Sequence, residues 1–135
     1  MNTPAASPPC SHHRPVLVVD DDPGIRESLK DLLEIEGYEV RTAEHGRDGL
    51  ALLQRERPCM VLLDLMMPVM DGRQFLQALQ QAGDPATADI PITVVSALDQ
   101  ARDLKHRYRC EVLGKPIDID RLLQVVHQHC SCPPA

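Results

Sequence analysis

The sequence predicts a doubly wound α/β fold, a single domain with five parallel strands and helices on both faces of the sheet. Three observations lead there. Short apolar runs alternate with segments of helical period five times over, the pattern of a parallel sheet built from crossover units. Two of the runs, 15–19 and 59–63, contain no charged or polar side chain, as strands buried on both faces require. Finally, Asp20, Asp64, Ser96 and Lys115 each come immediately after a different run, which in this class puts four polar groups on the edge where ligands bind.

Residues 1–14 are rich in Pro, Ser, Ala and His without a hydrophobic period and read as a disordered lead-in. The first strand, 15–19, stops at Asp20, Asp21 and Asp22. Asp22 then caps a helix with Pro23 at its first position, and Ile25, Leu29, Leu32 and Leu33 follow helical spacing until Gly37 ends it. The second strand, 38–42, alternates apolar with charged residues, so one face is wet and the strand belongs at a sheet edge. A helix over 46–57 turns Leu50 and Leu53 inward.

The third strand, 59–63, delivers Asp64 to a loop punctuated by Pro68 and Gly72. A third helix spans 72–81 with Phe75, Leu76 and Leu79 on one stripe. After a turn through Gly83, Asp84 and Pro85 comes the apolar strand 90–95, and then a helix over 97–107 with a weak stripe. The fifth strand, 110–113, leads to Gly114, Lys115 and Pro116. Asp118 caps a last helix buried through Ile119, Leu122, Leu123 and Val126. The domain therefore covers 15–130, with a short tail over 131–135.

Composition narrows the function. Fourteen basic against 20 acidic residues give a net charge of −6, which disfavours generic attraction to nucleic acid or anionic lipid. No apolar run approaches a membrane span, and 1–15 lacks the regions of a signal peptide, so a soluble cytoplasmic protein is expected. Five cysteines is an odd count. Cys59 and Cys110 fall in strands and Cys10, Cys130 and Cys132 at the tails, so a disulfide framework is not expected.

The polar edge suggests its own chemistry. Asp20, Asp21 and Asp64 crowded together repel unless a cation joins them, and magnesium, or manganese in its place, takes oxygen ligands of this kind. A carboxylate beside such a metal can attack a phosphoryl group and become an aspartyl phosphate. Lys115 can hold a phosphoryl oxygen as a point charge while the Ser96 hydroxyl donates to another. Acid, metal, hydroxyl and amine together make a phosphoryl-acceptor site.

Four ordered motifs carry a resemblance over about 15–130. They are Val-Val-Asp-Asp-Asp at 18–22, Asp-Leu-Met-Met-Pro-Val-Met-Asp-Gly at 64–72, Val-Ser-Ala at 95–97 and Lys-Pro at 115–116. The chain resembles a receiver domain of a two-component response regulator, of the stand-alone, chemotaxis-regulator-like kind. That resemblance implies the flavodoxin-like strand order 2-1-3-4-5 and a phosphorylation-dependent switch. Asp64 would accept the phosphoryl group from a histidine kinase or phosphotransfer protein. Magnesium would be held by Asp21, Asp64 and the backbone carbonyl of Met66, with Asp20 assisting through water. Ser96, Ala97 and Lys115 would bind the phosphoryl group and carry the switch, and the bond before Pro116 would be cis.

Such a protein catalyses only its own phosphotransfer and slow dephosphorylation. It would pass the signal to a downstream protein at the face formed by 97–113 and 118–130. Two features depart from the family pattern on that face. The position three before Lys115 is Val112, where an aromatic residue is usual, and the segment between Ser96 and Lys115 is shorter by roughly one helical turn. The missing aromatic at Val112 weakly favours the competing reading, a receiver-like interaction scaffold not controlled by phosphorylation, whereas Asp64, Lys115 and Ser96 favour the switch. A phosphatase would want an acid at position 66 and a flavin site would want hydroxyls after the first strand; neither is present.

The remaining groups carry plainer expectations. Met66, Met67 and Met70 fill gaps rather than bind a soft metal. The basic run from Arg102 to Arg109 is a solvated helix face. Cys10, His12 and His13 could meet His127, His129, Cys130 and Cys132 around zinc, but none of their spacings is diagnostic.

Overall fold

The computed structural model describes residues 14–64, 72–82, 90–96, 110–114 and 116–130. Within them lie β1 (Val16–Val19), α1 (Pro23–Ile35), β2 (Val40–Ala43), α2 (Gly46–Glu56), β3 (Met60–Asp64), α3 (Gly72–Ala82), β4 (Ile92–Ser96), β5 (Glu111–Gly114) and a last helix, α4 (Ile119–Cys130). The sequence-predicted helix over 97–107 lies outside the described residues, as do both tails, 1–13 and 131–135.

All neighbouring strands pair in parallel, in the order β2-β1-β3-β4-β5. The pleat of the central strands sorts their apolar residues to two faces, since successive side chains point to opposite sides. Leu17, Val19, Val61 and Leu63 face one way and pack with Leu53 of α2 and Phe75 and Leu76 of α3. Val16, Val18, Met60 and Leu62 face the other way and pack with Leu29 and Leu33 of α1 and Leu122, Val125 and Val126 of α4. A continuous apolar run is therefore what a strand between two helical layers needs. β2, at the edge, keeps an exposed Arg41 and a half-buried Thr42.

Local chemistry fixes the element ends. The Asp22 carboxylate accepts from the backbone N–H groups of Gly24 and Ile25 at 2.9 and 3.2 Å, capping α1. Asp118 does the same for α4, accepting from Asp120 and Arg121. Gly37, at φ 95°, takes the left-handed turn that ends α1. The N-cap of α2 is His45, whose Nδ1 accepts from the Asp48 N–H at 3.4 Å. Among the described residues, no helix is long and apolar enough to cross a membrane.

Ile119, expected in the buried stripe of the last helix, is instead 44% exposed as its first residue, and the expectation of no disulfide is overturned as well. Cys130 is not tail but the last residue of α4, and it is disulfide-bonded to Cys59, the residue before β3, at a Cα–Cα distance of 5.4 Å. The two are 71 residues apart, so their meeting is a consequence of α4 lying over the start of β3 and leaves no trace in local spacing. Cys110 is buried and outside the disulfide, and it precedes β5 rather than lying in it.

Candidate functional site

The strand order reverses between β1 and β3, because β2 lies on one side of β1 while β3, β4 and β5 extend on the other. Their carboxyl ends define the crevice where α/β sheets bind ligands. Asp20 follows the last residue of β1, and Asp64 is the last residue of β3. Oxygen atoms of Asp20, Asp21 and Asp64 all lie within 4.8 Å of one another.

The three acids are not equivalent. Asp20 and Asp64 are buried, and Asp21 is exposed. One oxygen of Asp20 accepts from the Asp22 N–H at 2.9 Å, which turns the chain sharply and fixes the carboxylate. The same Asp22 caps α1, so the acidic loop is tied to the helix that follows. Arg26 braces it from the helix, donating from Nη1 to the Asp20 carbonyl at 2.8 Å with its side chain 12% exposed; Nη2 lies 4.0 Å from Glu44. Reading the sequence missed Arg26. The signal was its place four residues after Asp22, one turn into a helix whose start faces the acids.

Beneath the acids lies a cavity of about 200 Å³. Val18, Leu62 and Val95 of the sheet, Ile25 and Leu29 of α1, and Pro116 and Ile117 give it apolar walls, with Asp20 and Asp64 also in its lining. An apolar backing of this kind strengthens electrostatic attraction between the acids and any cation or developing charge in front of them. Ser96, 2% exposed, is the last residue of β4, paired with Gly114 of β5, one step beyond the pairing of Asp64 with Val95. It therefore stands on the same sheet edge.

Of the sequence-predicted site residues, Asp20, Asp21 and Asp64 are brought into one cluster, with Ser96 and Pro116 at the same edge. Met66, Ala97 and Lys115 lie outside the described residues, and so does the peptide bond before Pro116. Among the described residues, the acidic triad is the cluster whose side chains converge as a metal site would need, and the zinc expectation gains nothing: the Cys130 sulfur is committed to the disulfide. The donor set is all carboxylate, which suits a hard divalent cation such as magnesium or manganese.

The family model of the response regulator receiver domain matches residues 16–127. The chain is 43% identical over 111 residues to the response regulator MprA of Mycolicibacterium vanbaalenii, a match that covers 80% of this chain and 46% of that protein. It is 36% identical to the protein PilH of Pseudomonas aeruginosa, covering 83% of this chain and 93% of PilH. The chain thus spans about half the length of MprA and nearly all of PilH. Among solved structures, the Vibrio cholerae chemotaxis protein CheY4 superposes with a TM-score of 0.75 at 30% identity, over 86% of this chain and 98% of that one.

Proposed function

This chain belongs to the response regulator receiver family, and from that premise we propose that it is a phosphorylation switch in which Asp64 accepts the phosphoryl group. The observation that carries the assignment is the convergence of Asp20, Asp21 and Asp64 within 4.8 Å at the reversal of strand order. Receiver domains bind magnesium at such an acidic pocket and exchange signals with histidine kinases or phosphotransfer proteins and downstream targets.

In the reading we favour, Asp21 and Asp64 would hold Mg²⁺, or Mn²⁺, together with the Met66 carbonyl, with Asp20 assisting through water. The bound ion would neutralise the charge shared by the acids and the incoming phosphoryl oxygens. One Asp64 oxygen attacks phosphorus as the bond from phosphorus to the donor's histidine nitrogen breaks. The imidazole leaves and takes up a proton. Lys115, Ser96 and Ala97 would receive the phosphoryl oxygens and carry the switch. Asp20, fixed by the Asp22 N–H, and the Arg26 brace keep the metal side of the site from having to reorganise at that moment.

The donor is a histidine kinase or phosphotransfer protein in the cytoplasm, and the downstream protein binds the face of 97–113 and 118–130. The protein acts as a signalling component whose catalysis is confined to its own phosphorylation and slow dephosphorylation. The scaffold alternative draws no support from the geometry of the acids or from the relatives.

Intact-mass measurement after incubation with Mg²⁺ and a small phosphoryl donor tests the assignment. The parent protein should gain one phosphoryl group, Asp64→Asn should gain none, and omission of Mg²⁺ should suppress the gain. A parent that takes up no phosphoryl group would return the scaffold reading to favour.

A further inference from the structure

The disulfide joins two points of the fold with different accessibility. Cys59, 6% exposed, sits at the entrance to β3, the strand that ends in Asp64. Cys130 is half-buried in the last turn of α4. The link therefore pins the far end of α4 to the amino-terminal edge of the sheet, opposite the acidic site. That helix end has non-covalent holds as well: Val125 and Val126 are buried against the sheet, and His129 Nε2 lies 3.3 Å from Glu111 Oε1 of β5.

Two features distinguish this bridge from a staple needed for folding. Chains that depend on disulfides are small ones that cannot bury a sufficient core. This one buries an apolar cluster on each face of a five-stranded sheet. The buried sulfur also has a partner waiting in the reduced state. Cys59 Sγ lies 3.5 Å from the Pro15 carbonyl oxygen, which the sulfur of a disulfide cannot donate to but a thiol can. The same carbonyl already accepts from the Cys59 N–H at 2.9 Å, so Cys59 stays anchored whichever state its sulfur is in.

We propose that Cys59 and Cys130 form a thiol–disulfide exchange site, operated by a dithiol reductant, that sets how firmly the end of α4 is held on the sheet. The external thiolate attacks Cys130 Sγ, the sulfur of the less buried of the two residues. The S–S bond breaks, and its electron pair passes to Cys59 Sγ, which takes up a proton and donates to the Pro15 carbonyl. The second thiol of the reductant then resolves the mixed disulfide and releases Cys130 as a thiol. Overall the protein gains two electrons and two protons, and the dithiol becomes a disulfide. The exchange does not depend on phosphorylation of Asp64. Its effect falls on the face assigned above to the downstream partner, because α4 is part of that face.

The test uses the full chain without denaturant. Peptide mapping under non-reducing conditions should recover Cys59 joined to Cys130, and dithiothreitol at neutral pH should convert both to thiols that alkylate. Amide hydrogen exchange in the last two turns of α4 should then quicken by about tenfold or more while β1 and β3 stay protected, and reoxidation should restore the slow exchange. The double variant Cys59→Ser/Cys130→Ser should match the reduced parent and lose its response to reductant. The proposal is overturned if the two cysteines are not linked, if the link yields only after global unfolding, or if exchange in α4 is the same in both states. It is equally overturned if the double variant still responds to reductant in α4.

Discussion

Replacing Gly49 by alanine sets two effects of similar size against each other, and the structure decides between them. In a helix interior, alanine is favoured over glycine by about 0.8–1.0 kcal/mol, so propensity alone says that the change stabilises α2. A Cβ at this position, however, would stand 2.9 Å from Val19 Cγ2, 3.1 Å from Phe75 Cε2 and 3.3 Å from Val19 Cγ1. Neither neighbour can swing away, since Val19 and Phe75 are both fully buried. Forcing extra volume into a packed core costs about 1–3 kcal/mol. The net expectation for Gly49→Ala is a loss of about 1 kcal/mol, or a fall in Tm of roughly 4 °C for a domain of this size.

The strain also has a direction. Val19 precedes Asp20, so relieving the clash displaces the strand end that carries the acidic loop. Urea unfolding of Gly49→Ala against the parent should show a lower midpoint with unchanged slope, and Mg²⁺ titration followed by NMR should show weaker binding. A variant as stable as the parent or more so would refute the view that α2 is seated on β1 through the missing side chain.

Other outcomes follow from single contacts. Thr93 is fully buried, and among the described residues its hydroxyl has no hydrogen-bond partner, so Thr93→Val should raise stability by about 1 kcal/mol in denaturant unfolding. Phe75→Ala should cost about 3–5 kcal/mol in the same assay, because Phe75 is the largest of the fully buried side chains and joins α3 to the sheet. Asp22→Ala removes the cap of α1 and should cost about 1 kcal/mol, with hydrogen exchange of the first helical turn accelerating. Mg²⁺ at a hundred times its Kd should stabilise the parent by about 2.7 kcal/mol in calorimetry. Chelation should reverse that gain, and Asp21→Asn should diminish it.

What was legible in the sequence were signals completed within a few residues. The unbroken apolar runs of β1 and β3 announce burial on both faces, and the acids that end them announce the site edge, because a strand's last residue and its loop are adjacent by covalent geometry. Asp22 with Pro23 and Asp118 mark helix starts for the same reason: each cap bonds to N–H groups only two and three residues ahead.

The His45 cap escaped notice because histidine is not among the residue types that mark a helix start, and the Arg26 brace because its partner, the Asp20 carbonyl, is a backbone group that carries no residue-type signature. The sequence by itself determined the buried faces of the central strands, where the helices begin and which acids would gather at the strand ends, but not the exposure of Ile119 at the start of α4. Only the tertiary structure decided that Gly49 must carry no side chain against Val19, and that Cys59 would meet Cys130 across 71 residues. Contacts of that kind depend on how helices are laid over the sheet, and packing of whole elements is set by many weak interactions at once rather than by any local pattern.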